Sequence, residues 1–499
     1  MRQRASTDSS LTSAETGLRR SLSNRQLQML AIGGVIGVGL FYGASLSVKM
    51  AGPGVLIGFL ACGLAAAIVM RALGEMTVEK PVSGSFSEYA GKHLGAKVGF
   101  VTGGMWWFYW VATVMSELAA IGKLIQFWFP TFPAWVPGLI ALVLFTASNL
   151  FAVKVFGELE YWFAILKILA IVVFMVFGLL MMFTGVFTSG NPVGLTNLWK
   201  DGGFLPHGWF GVIASISLVI QAYSGIETLA VEAGESKDPA RSMPKAFRRV
   251  TLRILVLYVG SIFVMLAAFP WTYLIHHPGS PYVVMFSRAG IPIAAGLVNL
   301  LIILSGLSSC NTGLYGGSRM LYSLSIKRHG QQVPNTVSPK TVDVEDSWNA
   351  EQSNRVEQSG RVNESDPLTP VTQRLNQNQV PHVAVWLTAA AISVGILITY
   401  LAPNNVYIWI TSASAFASLW TWGIILVSEL AWRSKVNRQG LRPQFAMPWW
   451  PTLPILGLLI LIFSFLAMVV SPYTRISVFS GVIFLVLLFI YPSKQREAK

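Results

Sequence analysis

Ile32-Gly33-Gly34-Val35-Ile36-Gly37-Val38-Gly39-Leu40-Phe41 packs four glycines into seven residues, inside an apolar run over about 28–48. Gly33 and Gly37 have the small-xxx-small spacing that lets two helices approach closely, so a tight helix contact is one reading. Gly37-Val38-Gly39 is nevertheless a poor way to continue a helix, because each interior glycine costs ~1 kcal/mol. A helix broken in mid-membrane is tolerated only where it borders a cavity. Amides exposed at such a break suit a carboxylate, and exposed carbonyls suit an ammonium. A second interruption, Ser224-Gly225, lies in GVIASISLVIQAYSGIETLAVEAGE, just before Glu227.

Composition makes the medium around these segments lipid. Of 499 residues, 53% are hydrophobic and 12% charged, with a mean hydropathy of +0.57; soluble chains carry about 25% charge. So little charge excludes a cytosolic enzyme, a secreted disulfide scaffold and a nucleic-acid-binding domain. Apolar runs of the length that crosses ~30 Å of hydrocarbon recur almost throughout. They predict an all-α polytopic membrane protein with twelve transmembrane helices, at about 28–48, 53–73, 98–128, 134–153, 161–185, 208–233, 252–272, 288–325, 382–402, 405–430, 452–471 and 475–492. The two interruptions fall in the first and sixth spans. That placement predicts a five-plus-five inverted repeat with discontinuous helices 1 and 6 and a binding site at the midplane. Repeat one is expected over about 28–185 and repeat two over about 208–430, with helices 11 and 12 at 452–492.

The net charge of +14 lies between the spans, where topology accounts for it without nucleic acid. Loops near 74–97, 234–251 and 431–447 hold clusters such as Lys237, Arg241, Lys245, Arg248 and Arg249, whereas 129–133 and 402–405 hold no basic residue. Of 36 Lys and Arg, only Lys49, Lys123, Lys200, Arg288 and Arg475 fall on the far side, with Lys167 inside the membrane. The N-terminal tail 1–27 and C-terminal tail 493–499 are therefore expected in the cytoplasm. Residues 329–381, polar and without periodicity, predict a cytoplasmic loop, a tether with a regulatory role as the alternative. Cys62 and Cys310 lie in apolar runs without metal-ligand neighbours, and the histidines show no ligand spacing. No His/Glu metal pair or Ser/His nucleophile pair lies in the spans, so neither a metal, a cofactor nor an enzyme is expected.

An ionisable group inside a span costs at least ~2.5–3.5 kcal/mol unless it is paired or faces water. Glu117, Lys167 and Glu227 stand out for that reason. Lys167 lies about six residues into span 5, or ~9 Å along the axis. It either snorkels to the cytoplasmic headgroups or holds an ammonium between helices, where proton loss could drive a conformational change. Glu117 and Glu227 could each be satisfied by a neighbouring helix, and Lys123 offers Glu117 a structural ion pair. The aromatic run Trp106-Trp107-Phe108-Tyr109-Trp110 reads as lipid-facing or packing, except at Trp110.

From about Ser23 to Pro492 the chain resembles an amino acid permease of the amino acid–polyamine–organocation (APC) superfamily, in its bacterial amino acid transporter branch. The resemblance rests on IGGVIGVGLF (32–41), RALGEM (71–76), PVSGSFSEYA (81–90), ELEYWFAILKILAI (158–171), GIETLAVEAGESKDPARSMPKA (225–246) and GLYGGSRMLYSLS (313–325), in that order and spacing. It implies the LeuT-like fold and import of amino acids with protons across the plasma membrane. It implies that the amides of Val38 and Gly39, beside Gly37, hold the substrate's α-carboxylate, and that carbonyls of Val35, Gln221 and Ser224 hold its ammonium. Lys167 falls where sodium-coupled relatives bind sodium, which implies proton coupling. Glu227 matches a widespread family glutamate beside the broken helix. Helix faces place Trp110, Met115, Leu118, Ser308, Asn311, Ser412 and Ser414 around the substrate side chain. The expected function is a secondary transporter working by alternating access, with an amino acid/amine exchanger or an amino acid sensor as alternatives. Its partners are amino acids, protons and the lipid bilayer. A neutral substrate is favoured, since Glu117 is the only unassigned acid for a cationic one.

Overall fold

The computed structural model describes residues 33–80, 82, 84–151, 153–185, 191–232, 239–277, 279–327, 380–402 and 406–491, and within these all side chains but those of 151–159, 232–242 and 326–327. The expected tails, 1–27 and 493–499, and all but the last two residues of the 329–381 loop lie outside the described residues. In lipid only internally hydrogen-bonded backbone is stable, and the described elements are helical throughout. In chain order they are α1 (Val38–Phe41), α2 (Gly43–Ala51), α3 (Val55–Glu79), α4 (Ser85–Leu94), α5 (Ala96–Ile125), α6 (Trp135–Phe151) and α7 (Val153–Thr184). There follow α8 (Gly208–Tyr223), α9 (Thr228–Glu232), α10 (Pro239–Ala268), α11 (Trp271–His276), α12 (Pro281–Arg288) and α13 (Pro292–Lys327). The last four are α14 (His382–Leu401), α15 (Val406–Arg438), α16 (Thr452–Val470) and α17 (Arg475–Ile490).

Nine stretches among the described residues are long and apolar enough to cross a membrane, and the shorter Trp135–Leu150 and Arg475–Ile490 are apolar too. One of the nine, Val38–Glu79, joins the expected first and second spans through Gly52-Pro53-Gly54. Much of the basic 234–251 segment, expected as a loop, is helical: α10 starts at Pro239, whose fixed φ suits a first turn.

Burial sorts the helices into a centre and a rim. In an apolar 18-residue stretch of each, the share of residues buried within the protein is 83% in Gly208–Val231 and 78% in both α5 and α15, but 33% in α16. α5 lies at the centre, packed along α13 and α15. Trp106, Trp110, Trp422, Tyr109, Tyr223 and Tyr258 fill this centre, while α16 and α17 turn Leu459, Phe463, Phe479 and Ile483 outward. Polar groups therefore concentrate where α1, α5, α8, α13 and α15 converge.

Candidate functional site

Helix geometry stops at Ile36 and resumes at Val38, with Gly37 extended at φ −116°, ψ −165°. The break leaves backbone groups without helical partners, and four of them find one on another helix. The Val38 amide donates to both carboxylate oxygens of Glu117 on α5, at 3.2 and 3.1 Å. The Val35 carbonyl accepts from the Tyr258 hydroxyl of α10 at 3.0 Å and from the Gly37 amide at 3.0 Å. The Ile36 carbonyl accepts from Ser305 of α13 at 2.8 Å, and the Gly33 carbonyl accepts from the Lys167 ammonium of α7.

The second break faces the first. After Tyr223 the chain is extended at Ser224, and Gly225 takes φ +95°, a conformation that glycine adopts without strain. A Cβ on Gly225 would lie 3.0 Å from the Tyr109 hydroxyl and 3.6 Å from the Gly34 carbonyl. The two interruptions thus lie against each other. Two residues on, Glu227 is fully buried and holds the turn. Its carboxylate accepts from the indole N–H of Trp106 and of Trp422, each at 3.0 Å, and from the Gly225 amide at 3.2 Å.

Lys167 does not snorkel: it is 2% exposed, and its ammonium lies 3.7 Å from the carboxylate of Glu160 on the same helix. Ser308 of α13 donates to the same Glu160 oxygen. A Cβ on Gly33 would sit 2.8 Å from that oxygen, so the residues before the first break rest directly on the ion pair. A buried carboxylate and ammonium each offset the desolvation of the other.

A narrow cavity between the breaks is lined by Gly34, Val35, Gly37, Gly39, Tyr109, Thr113, Ser116, Glu117, Gln221, Ser224, Ser309 and Tyr407. Val35, Gly37, Gly39, Gln221, Ser224 and Glu117, all singled out from the sequence, meet here. Gln221 ties three helices together: its amide donates to Thr113 at 3.1 Å, and its carbonyl oxygen accepts from Ser414 at 2.5 Å. Lys167 and Glu227 stand behind the breaks rather than in the cavity. The structure does not bring Trp110 and Met115 to the cavity wall. Trp110 packs on Gly313, Gly316 and Gly317 of α13, and Met115 on Gly395 of α14. One residue along a helix turns a side chain by ~100°, and Tyr109 takes the cavity-facing position instead. Leu118 packs toward Gly138 of α6, Ser308 is engaged by Glu160, and Asn311 accepts from Asn149 at 3.0 Å.

Glu160 escaped the sequence reading because it borders the expected start of span 5, whereas α7 begins at Val153. Its seven-residue spacing from Lys167 is two helical turns on one face, which was the available signal. Trp106 and Trp422, read as packing and unassigned respectively, turn out to be the ligands of Glu227. Among the described residues no three His, Cys, Asp or Glu side chains are placed to hold a metal ion.

The described residues form a polytopic helical membrane protein with two broken helices meeting at a polar cavity. The amino acid permease family model matches residues 26–336 and 366–498, and the chain belongs to that family, within the APC superfamily. It is 40% identical over 484 residues to an uncharacterized amino acid permease, YtnA, of Bacillus subtilis (strain 168), covering 97% of this chain and 96% of the relative. A probable threonine/serine transporter of the same organism, YbxG, is 35% identical over 477 residues, 96% of this chain and 95% of its own. The aromatic amino acid transport protein AroP of Salmonella typhimurium (strain SL1344) is 33% identical over 483 residues, 97% of each chain.

Proposed function

We propose that this permease imports neutral amino acids across the plasma membrane by proton symport, using twelve transmembrane helices with both termini in the cytoplasm. Two inverted five-helix repeats, about 28–185 and 208–430, alternate access around the facing breaks. The observation that carries this reading is the contact between the break at Gly37 and the break at Gly225, with a polar cavity between them. Amides of Val38 and Gly39 receive the substrate carboxylate, and carbonyls of Val35, Gln221 and Ser224 receive its ammonium. Lys167 is the coupling group in this scheme. Its ammonium grips the Gly33 carbonyl and the Glu160 carboxylate together, so losing its proton loosens the segment that leads into the first break. Relatives named for threonine/serine and for aromatic amino acids favour a substrate with an uncharged side chain.

The test is uptake of a labelled amino acid panel into proteoliposomes, with and without an inward proton gradient. Concentrative uptake of neutral amino acids that collapses with the gradient is the expected result. Uptake that needs preloaded amino acid or amine would make the protein an exchanger, and no uptake of any amino acid would end the reading.

A further inference from the structure

Two of the groups proposed to grip a substrate's charged ends, the Val35 carbonyl and the Val38 amide, already have partners inside the protein. Both lone pairs of the Val35 carbonyl are taken, and the Val38 amide is held by a carboxylate, the same chemical group that an amino acid would present there. We propose that Glu117 is a built-in stand-in for the substrate's α-carboxylate, which an entering amino acid displaces from the Val38 amide. The inference rests on the amino acid reading above and adds a specificity device to it.

Three features of the geometry support displacement over a fixed strut. One backbone N–H is shared between the two oxygens, at 3.1 and 3.2 Å, so releasing Glu117 frees a single backbone donor that another carboxylate can satisfy. The carboxylate also sits in a slot between backbones that only glycine leaves open. A Cβ on Gly37 would fall 2.1 Å from one oxygen, and a Cβ on Gly306 of α13 would fall 3.1 Å from the other. The slot has room for one carboxylate, so substrate and Glu117 exclude each other. Finally, the Glu117 side chain has another partner. The Ser309 hydroxyl lies beside the carboxylate where it now sits, a donor that does not depend on the Val38 amide. The segment that carries Val38 runs on through Tyr42 into α2, so the amide stays in place when its partner changes.

An internal competitor lowers the apparent affinity by the fraction of molecules in which the amide is free. It also discriminates: an amine without a carboxylate has nothing with which to replace Glu117. The experiment is equilibrium binding of a neutral amino acid and of its decarboxylated amine to the purified protein, as wild type, Glu117→Ala and Glu117→Gln. Amino acid affinity is expected to rise about tenfold in Glu117→Ala, the scale of one hydrogen bond to a charged group. It is expected to rise less in Glu117→Gln, which keeps a neutral acceptor, while amine binding stays as in wild type. Glu117→Gln decides the matter if the alanine variant does not fold. Unchanged or weaker amino acid binding, or an equal gain for the amine, would overturn the proposal. Wild type binding no amino acid at all would instead overturn the function on which it rests.

Discussion

Glu117 and Glu227 are both buried carboxylates set against a helix break, and their surroundings differ in kind. Glu227 accepts from two indoles and a backbone amide, all at 3.0–3.2 Å and from three separate segments. Glu117 has one backbone amide divided between its two oxygens, with the Ser309 hydroxyl beside it, in a cavity wall. The first is a fastener, because moving it would leave three buried donors unsatisfied at ~1–3 kcal/mol each. The second is exchangeable, because any other carboxylate can replace it at Val38. Charge in the membrane is thus used twice at one site, once to hold the break of α8 and once to keep the break of α1 ready.

Glu160 extends the comparison to a carboxylate held by a counter-ion, and it provides the largest expected effect. Lys167→Ala should destabilise the protein by ~3–5 kcal/mol, because it strands a buried charge. Adding Glu160→Gln should restore most of the melting temperature while proton-driven accumulation stays lost. A double variant no more stable than the single one would show that the pair is not the unit we describe. Full accumulation by Lys167→Ala would remove the lysine from coupling. A smaller effect is expected at Gly37→Ala, whose Cβ would collide with Glu117 at a cost of ~1–3 kcal/mol. Combining it with Glu117→Ala should recover most of that loss in thermal denaturation. Additive losses would place the strain elsewhere.

Much of this was legible in the chain. Apolar length marked the helices, and the glycines of 33–39 with Ser224-Gly225 marked both breaks, since lipid punishes irregular backbone wherever it does not serve a cavity. Rarity of charge in the membrane likewise exposed Lys167, Glu117 and Glu227. What stayed hidden depends on rotation about helix axes and on exact helix starts. The choice between Tyr109 and Trp110 is one residue, or ~100°, and no apolar periodicity resolves it in a helix as buried as α5. Glu160 was obscured by a boundary placed eight residues after the helix begins at Val153. The partners of Glu227 were obscured because Trp422 lies 195 residues away and an indole reads as apolar bulk until its N–H has an acceptor.

The contrast between the two glutamates is tested most directly by one binding constant measured on three proteins. A neutral amino acid would be titrated into wild type, Glu117→Gln and Glu227→Gln under identical conditions. Our account predicts opposite shifts. Glu117→Gln should bind the amino acid more tightly. Glu227→Gln should bind it more weakly, since its amide would turn N–H groups toward indole donors and loosen the break at Gly225. Shifts in the same direction would contradict the distinction between an exchangeable and a fixed carboxylate.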